Sequence, residues 1–302
     1  MNSASNTEMT VLENEPLSKH SSFKIGGCAN YAIFPKSTNE LIKAIEDCKE
    51  NEIKYMVVGN GSNVLFDDEG FDGAVIITKQ IKATEYIYGP NGIHIKCECG
   101  KSLSELSSEV GRKHSLTGLE FAYGIPGTVG GAVFMNAGAY GGQMSDIVEE
   151  TEYYDTFSGS RKTIAYAEHG FDYRHSLFAS HPEYIILSTT LKLSEGDAET
   201  IFESMNRNMT ARKDKQPLEY PNAGSTFKRP AGGLFAGKLI EDCGLKGYTV
   251  GGAQVSEKHA GFTINRGHAT CKDVLSVIEH TQNTVLEKYG VKLECEIIYV
   301  PK

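Results

Sequence analysis

The feature that most constrains this sequence is a glycine-rich stretch at residues 124–142, which reads G-I-P-G-T-V-G-G-A-V-F-M-N-A-G-A-Y-G-G. It places seven glycines among nineteen residues. Glycine loses more conformational freedom on folding than any other residue, so this density is unfavourable unless the backbone itself must contact another group. A flexible lid is the alternative, but apolar residues such as Val129 and Val133 favour burial. We interpret the stretch as backbone that contacts a flat, phosphate-bearing cofactor.

A second run of small residues, G-N-G-S-N at residues 59–63, lies between two predicted strands. Its backbone N–H groups can approach a bound phosphate closely. It does not match the dinucleotide-binding fingerprint, because Val64 stands at the third glycine position and a strand-like run follows where a helix is needed. It is not a P-loop either, because no Gly-Lys-Ser/Thr sequence follows. A tight hairpin turn remains the alternative for this loop taken alone.

The hydrophobic pattern predicts a mixed α+β chain in three successive parts. Residues 1–80 indicate a small α+β unit with a polar tail up to about residue 15, residues 81–195 are mostly strands, and residues 196–302 combine helices and strands. Helices are predicted where capping residues and apolar spacing agree, at residues 37–50, 102–114, 198–212 and 271–289. The region between residues 114 and 146 is too rich in glycine for an ordinary helix.

Alternating and continuous apolar runs predict the strands, at residues 31–35, 55–58, 64–66, 74–78, 85–88, 93–99, 152–157, 184–193 and 291–300. In the last of these, apolar side chains occupy the odd positions, which leaves Glu294 and Glu296 on the opposite face. Because both glutamates share that face, periodicity alone does not decide which of them serves in a site.

The composition is that of a globular protein. Of the 302 residues 40% are hydrophobic, yet no apolar run approaches the roughly 18 residues of a membrane-spanning helix. The first fifteen residues lack the basic start and apolar run of a secretory signal, so we expect a cytoplasmic protein. The seven cysteines show no metal-ligand spacing, so we expect reduced thiols and no metal site.

The formal charge of −9 disfavours nucleic acid as a partner. An anionic ligand therefore requires a local basic site. The last third of the chain offers Lys215, Lys228, Arg229 and Lys238 for such a site, although lysines are more often solvated surface charges.

Five segments, in this order along the chain, closely resemble the UDP-N-acetylenolpyruvoylglucosamine reductase family. They are the loop at residues 59–63, the glycine-rich stretch, Y-R-H-S at 173–176, A-G-S-T-F-K-R-P at 223–230 and L-E-C-E-I at 293–297. The resemblance extends from about residue 17 to residue 299. The sequence is similar to the branch of the family that lacks a tyrosine-bearing insertion.

The resemblance implies a fold and a reaction. The fold is a vanillyl-alcohol-oxidase-type FAD-binding module of two subdomains, residues 1–80 and 81–195, followed by a substrate-binding domain at 196–302 whose last strand can return to the first subdomain. The implied enzyme binds FAD non-covalently and takes hydride from NADPH. It reduces the enolpyruvyl group of UDP-N-acetylglucosamine enolpyruvate to the lactyl ether of UDP-N-acetylmuramate, a peptidoglycan precursor. We expect a monomer whose partners are these small molecules.

Three catalytic residues follow from the resemblance. Arg174 in Y-R-H-S matches the family's arginine, whose planar guanidinium suits a carboxylate that becomes an enolate. Ser225 matches the family's proton donor, and Glu296 matches its catalytic glutamate. From the residues alone, Arg174 could equally form a surface ion pair, and Ser225 could be an ordinary turn residue.

The resemblance also implies the residues that bind FAD and substrate. FAD contacts are expected from Gly59, Asn60, Gly61, Ser62, Asn63, Gly124, Ile125, Pro126, Gly127, Thr128, Gly130, Gly131, Ala132, Asn136, Ala137, Gly138, Ala139 and Tyr140. Substrate contacts are expected from Arg174, Lys215, Ser225, Lys228, His259 and Glu296. One position departs from the family, because Ile298 stands where an arginine is usual. Any contact of that arginine with the substrate is therefore missing here.

Two other functions fit parts of the sequence. Another FAD oxidase or dehydrogenase of the same fold would keep both glycine-rich segments, but it has no need of Arg174, Ser225 and Glu296 together. A non-catalytic module that binds nucleotide sugars would also keep the loops, and it would be colourless. Turnover with the enolpyruvyl substrate separates the reductase from both alternatives.

Overall fold

The protein is described here by a computed structural model that covers residues 9–89 and 92–302. The first part of the chain consists of β1 (Thr10–Pro16), β2 (Cys28–Phe34), α1 (Thr38–Glu50), β3 (Tyr55–Val58), β4 (Val64–Phe66) and β5 (Phe71–Ile77). A sheet has the strand order β1-β2-β5-β3, in which β2, β5 and β3 are parallel and β1 is antiparallel to β2. Ser37 caps α1 by accepting a hydrogen bond from the Glu40 N–H, which confirms the predicted start of this helix.

The prediction of a polar tail up to about residue 15 is wrong for residues 10–16, which form β1. This strand pairs with β2, with Thr10 opposite Phe34 and Pro16 opposite Cys28. Its first five residues are exposed, because β1 is the edge strand of the sheet. A solvated edge strand lacks the apolar alternation by which strands are predicted. Residues 1–8 of the expected tail lie outside the described residues.

The second part is dominated by an antiparallel sheet. Its elements are β6 (Thr84–Gly89), β7 (Gly92–Glu98), α2 (Leu103–His114), β8 (Leu116–Thr117), α3 (Val129–Phe134), β9 (Gly138–Ala139), β10 (Gly142–Gln143), β11 (Val148–Asp155), β12 (Ser160–Ala165), α4 (Leu177–Ser180) and β13 (Tyr184–Glu195). The strand order is β12-β11-β13-β7-β6, and β8 also pairs with β13. α2 begins at the predicted cap, where Ser102 accepts from the Glu105 N–H.

The glycine-rich stretch contains a short helix, α3, where the glycine content argued against one. Thr128 caps this helix by accepting from the Gly131 N–H. The Gly130 N–H donates to the Cys99 carbonyl at 2.9 Å, which holds the helix against the end of β7. Tertiary contacts therefore outweigh the low helix propensity of glycine here.

The third part consists of α5 (Ala198–Lys215), α6 (Ala236–Asp242), β14 (Thr249–Val250), β15 (Ala253–Val255), β16 (Thr263–Asn265), α7 (Cys271–Tyr289) and β17 (Ile298–Val300). α7 has the predicted bounds and ends at Gly290, which adopts a left-handed φ of 68°. α5 packs back onto the second part, because Ile201 and Met205 contact Gly111 of α2. Within the described residues, no helix combines the length and the apolar character that a membrane span requires.

The predicted strand at residues 291–300 is wrong in extent, because only Ile298–Val300 is a strand. β17 pairs in parallel with β4, with Ile298 opposite Val64 and Val300 opposite Phe66. The partner strand β4 is itself only three residues long, so the ladder cannot extend further. The expected apolar face is interrupted too, since Cys295 is exposed. The pairing brings the last residues of the chain to the loop at residues 59–63.

Candidate active site

A cavity of about 680 Å³ is lined by residues from all three parts of the chain. Its size falls within the range of about 300–1,000 Å³ that is usual for small-molecule and cofactor sites. The wall includes most of both glycine-rich segments, the turn that carries Arg174, the loop that carries Ser225, and Glu296. The cavity therefore unites the segments that the sequence singled out.

The loop at residues 59–63 packs directly against the glycine-rich stretch. A Cβ atom at Gly59 would lie 2.2 Å from Thr128 Oγ1, and one at Gly61 would lie 2.1 Å from the His20 carbonyl oxygen. Asn60 Nδ2 donates to the Pro126 carbonyl. Both positions therefore require glycine, and the contacts of Gly59 and Asn60 hold the loop beside the glycine-rich stretch along the cavity wall.

Two glycines of the stretch border open space instead. The nearest atom to a Cβ built at Gly127 is Ser62 Oγ at 3.7 Å, and at Gly131 it is Thr128 Oγ1 at 3.5 Å. Both residues line the cavity. At these two positions the packing of the protein does not require glycine, so the absence of a side chain leaves room for a ligand along the cavity wall.

Arg174 lies in a tight turn at residues 172–175, which packs beside the glycine-rich stretch at residues 124–142. Asp172 and His175 exchange backbone hydrogen bonds at 3.1 and 3.2 Å, which closes the turn. Arg174 has a left-handed φ of 54°, an uncommon conformation for a residue with a side chain. Its Nε donates to Glu296 Oε1 at 2.7 Å and its Nη2 to the Gly138 carbonyl at 3.2 Å.

Glu296 is held from both sides by backbone hydrogen bonds. Its N–H donates to the Thr226 carbonyl at 2.9 Å, and its own carbonyl accepts from Asn63 Nδ2 at 3.1 Å. Its side chain is 14% exposed, whereas that of Glu294 is 71% exposed. The structure thus distinguishes two glutamates that the strand periodicity could not separate.

Burial and the neighbouring positive charges act in opposite directions on the pKa of Glu296. Burial raises the pKa of its carboxyl group, and the positive charges of Arg174 and Lys228 offset this only in part. The carboxyl group therefore holds its proton to a higher pH than an exposed glutamate does.

Ser225 lies in the loop between α5 and α6 and lines the same cavity. Gly224 before it has a φ of 79°, and its N–H donates to Asn222 Oδ1 at 2.9 Å. Thr226 after it is buried, and the Thr226 N–H donates to the Gly261 carbonyl at 2.8 Å. The backbone is thus fixed on both sides of Ser225, next to the segment that carries Glu296.

Arg212 also lines the cavity, and the sequence reasoning missed it. It is 9% exposed, and within the described residues its buried Nε has no hydrogen-bond partner. Burial lowers the pKa of this guanidinium, and the hydroxyl group of Tyr140 nearby offsets that only in part. A buried guanidinium nitrogen without an acceptor is unfavourable, so a ligand that offered an acceptor to Nε would stabilise Arg212.

The expected cofactor fits these observations. FAD is flat and carries a pyrophosphate, and the cavity offers glycine backbone along one wall and the guanidinium of Arg212, whose Nε has no acceptor among the described residues. Sixteen of the eighteen residues predicted to bind FAD line the cavity; the other two are Asn136 and Tyr140.

Asn136 and Tyr140 are not part of the cavity wall. Asn136 is 2% exposed, and its amide group is bonded to the backbone of Asp172 and Ser145. Tyr140 is 44% exposed and stands beside Arg212. The expected direct contact of Asn136 with FAD therefore lacks support, because both polar ends of its side chain already have protein partners.

Arg174, Ser225 and Glu296 meet at the cavity, but the other predicted substrate residues do not line it. Lys215 is exposed at the end of α5. Lys228 lies 3.8 Å from Glu294, and His259 packs on Phe262 while its Nδ1 accepts from the Gly261 N–H. Ile298, at the position where the family has arginine, does line the cavity with an apolar side chain.

A sequence signal for Arg212 exists. Ile201, Met205, Asn208 and Arg212 recur at helical spacing and form the buried face of α5. An arginine on the buried face of a helix is unusual, because charged side chains are rarely buried without a partner. That departure from the pattern could have marked Arg212 as a ligand-binding residue.

Comparison with known proteins identifies the family of this chain. Residues 29–163 match a family of FAD binding domains, and residues 216–300 match the C-terminal domain of UDP-N-acetylenolpyruvoylglucosamine reductase. UDP-N-acetylenolpyruvoylglucosamine reductases from Caldanaerobacter subterraneus subsp. tengcongensis and Pediococcus pentosaceus are 47% and 46% identical to this chain. The alignments cover 94% and 96% of this chain, and 91% and 94% of those relatives.

A solved structure is similar as well. The crystal structure of the UDP-N-acetylenolpyruvylglucosamine reductase of Thermus caldophilus superimposes with a TM-score of 0.80 and 36% sequence identity. The match covers 97% of this chain and 100% of that chain. These similarities confirm the predicted FAD-binding fold and the predicted family. The chain belongs to the UDP-N-acetylenolpyruvoylglucosamine reductase family.

Proposed function

We propose that this protein is an FAD-containing reductase that uses NADPH to convert UDP-N-acetylglucosamine enolpyruvate into UDP-N-acetylmuramate for peptidoglycan synthesis. The observation that carries the proposal is the convergence of Arg174, Glu296 and Ser225 on one glycine-walled cavity. The reaction needs a cation for the substrate carboxylate, an acid beside it and a proton donor. These three side chains supply one group each.

FAD would be held by the backbone of residues 59–63 and 124–139 and by Arg212. When bound, it accepts hydride from NADPH and supplies hydride to the substrate. The open space beside Gly127 and Gly131 would let a bound group approach the backbone closely, and Asn63 joins the loop at residues 59–63 to the segment that carries Glu296.

Arg174 would bind the carboxylate of the substrate. A guanidinium has five N–H donors, of which Glu296 and Gly138 take two. The remaining donors are available to a carboxylate in the cavity. When negative charge grows on that carboxylate during reduction, a cation that is already fixed stabilises it without further reorganisation.

Glu296 would act as the acid beside Arg174. Its Oε1 accepts from Arg174, so Oε2 is the atom that can carry a proton. Burial favours the protonated form, and a protonated carboxyl group can donate a hydrogen bond to the developing enolate.

Ser225 would complete the reaction as proton donor. After the terminal vinyl carbon has received hydride, the carbon next to the carboxylate holds an electron pair and must gain a proton. The hydroxyl of Ser225 can supply this proton, and solvent can then restore it. Support comes from the fixed backbone on both sides of Ser225 and from its place in the cavity wall.

We further propose that residues 1–80 and 81–195 form the two FAD-binding subdomains and residues 196–302 the substrate-binding domain. Two elements of residues 196–302 pack with the FAD-binding subdomains instead. The pairing of β17 with β4 supports a return of the last strand to the first subdomain. The packing of α5 on α2 supports the assignment of α5 to the second FAD-binding subdomain.

Lys215, Lys228 and His259 are proposed to contact the nucleotide part of the substrate. We propose a cytoplasmic monomer.

An anaerobic absorption spectrum tests the function. The purified protein is expected to show a flavin spectrum that bleaches with NADPH and returns when UDP-N-acetylglucosamine enolpyruvate is added. A protein that remains colourless with added FAD contradicts the cofactor and favours a nucleotide-sugar-binding module. Bleaching without reoxidation by this substrate contradicts the reaction and favours another flavin enzyme of the same fold.

Arg212→Met is expected to weaken FAD binding by about 10- to 100-fold, because hydrogen bonds to a charged group contribute about 1.5–3 kcal/mol. The dissociation constant is measured by adding FAD to the apoprotein and following flavin fluorescence. Arg207→Met is the matched control, because Arg207 lies on the exposed face of the same helix. Equal FAD affinity in both variants would show that Arg212 does not contact the cofactor.

A further inference from the structure

Asn136 is a buried residue of the site that no role described above explains. It follows α3 in a left-handed conformation with a φ of 43°, and it is 2% exposed. Its Nδ2 donates to the Asp172 carbonyl at 3.0 Å, and its Oδ1 accepts from the Ser145 N–H at 2.9 Å. The amide group therefore joins the glycine-rich stretch to the turn at residues 172–175.

That turn needs support, because Arg174 occupies its left-handed position. A turn with positive φ at this place normally takes glycine or asparagine, since side chains disfavour the conformation. The Asp172 carbonyl accepts from both the His175 N–H and Asn136 Nδ2. Asn136 thus provides, besides the turn's own hydrogen bond, an anchor at the residue where the turn begins.

Residues 134–138, the segment that contains Asn136, accept two further hydrogen bonds from the turn and from the residue after it. The Phe134 carbonyl accepts from Ser176 Oγ at 2.8 Å, and the Gly138 carbonyl accepts from Arg174 Nη2 at 3.2 Å. Of these three hydrogen bonds between residues 134–138 and residues 172–176, only the one from Asn136 uses a side chain of residues 134–138. It is therefore the contact that a substitution can remove while the backbone acceptors remain.

We propose that Asn136 is a positioning residue that holds the turn at residues 172–175 and thereby keeps Arg174 aligned for substrate reduction. The inference rests on the proposed function of Arg174. Asn136 acts through the turn and not through contact with cofactor or substrate, since its polar atoms are already bonded to Asp172 and Ser145. A displacement of about 1 Å in a catalytic group can reduce a rate about 100-fold.

The test uses Asn136→Gly, because glycine tolerates the left-handed backbone and removes the side chain together with both of its hydrogen bonds. In anaerobic stopped-flow experiments, the rate of flavin reduction by NADPH is expected to stay within about threefold of wild type. The rate of flavin reoxidation by the enolpyruvyl substrate is expected to fall about 10- to 100-fold, as supporting residues around a functional group typically cause.

A double-mutant cycle with Arg174→Ala separates positioning from a general structural effect. If Asn136 acts through Arg174, then Asn136→Gly causes no further loss of reoxidation rate once Arg174 is alanine. Asn265→Ala is the matched control, because Asn265 is also buried and bonds to the backbone at Phe23, Gly267 and Ala269. It is expected to lower the melting temperature without a selective loss of reoxidation.

The outcomes are distinct. Equal losses in the two half-reactions, or independent losses in the double mutant, overturn the positioning role. If the glycine variant does not fold, Asn136→Asp keeps the acceptor for the Ser145 N–H and removes the donor to Asp172, and the same selective loss is expected. If the wild type itself fails to reoxidise with this substrate, the proposed function fails, whatever the behaviour of Asn136.

Discussion

Ser225→Ala is expected to leave the reduction of the flavin by NADPH nearly unchanged and to slow reduction of the enolpyruvyl substrate by about 10²- to 10⁴-fold. This is the usual contribution of a positioned proton donor. The selectivity follows because a group that acts in one transition state affects only the step through that state. Ser225 lines the cavity, and the hydrogen bonds of Gly224 and Thr226 hold the backbone on either side of it. Truncation to alanine therefore removes the hydroxyl while the loop keeps its anchors.

The measurement is a pair of anaerobic stopped-flow traces, one for each half-reaction. Ser276→Ala serves as a control, because the hydroxyl of Ser276 bonds to the Lys272 carbonyl within α7, among residues outside the cavity wall. Its two rates should equal those of the wild type. Equal loss of both rates in Ser225→Ala would show that Ser225 has a structural role only.

Glu296→Gln is expected to reduce the rate of substrate reduction by about 10²- to 10⁴-fold and to change its dependence on pH. In the wild type this rate should fall as pH rises through the raised pKa of Glu296, because the protonated form is the proposed acid. Glutamine keeps the shape and can accept from Arg174, but it carries no titrating proton. The decline with pH should therefore be absent from the small rate that remains.

Glu294→Gln is the control for this variant. Its side chain is 71% exposed and faces Lys228 at 3.8 Å, so its replacement should leave both half-reactions and the pH profile unchanged. A large loss in Glu294→Gln with normal rates in Glu296→Gln would show that the acid is Glu294 and not Glu296. A pH profile in Glu296→Gln identical to that of the wild type would place the titrating group elsewhere.

Elements with local signals were predictable from sequence. Residues 103–114 and 271–289 form helices because Ser102 and Thr270 cap their first turns and apolar residues repeat at helical spacing. β1 was not predictable in this way, because the signal for an edge strand lies in its partner and not in its own side chains. The same holds for β17, whose length is set by the three residues of β4.

The site was predictable where backbone chemistry dominates, as in the loop at residues 59–63 and the stretch at 124–139. It was not predictable where folding decides which side chains become buried. The choice between Glu294 and Glu296, and the burial of Arg212, depend on packing between distant segments. Asn136 is the same case, since its partner Asp172 lies 36 positions away.

The hydrogen bond from Asn63 to the Glu296 carbonyl joins residues 233 positions apart in the sequence. Residue 296 is synthesised 233 residues after residue 63, so the loop cannot meet this partner until the intervening chain has been made. Pairings over such long separations form late in folding, because loop closure must precede them. The glycine-rich wall of the cavity, at residues 59–63 and 124–139, is therefore synthesised well before the acid group that joins it. An incomplete chain, cut short before residue 296, would lack that group altogether.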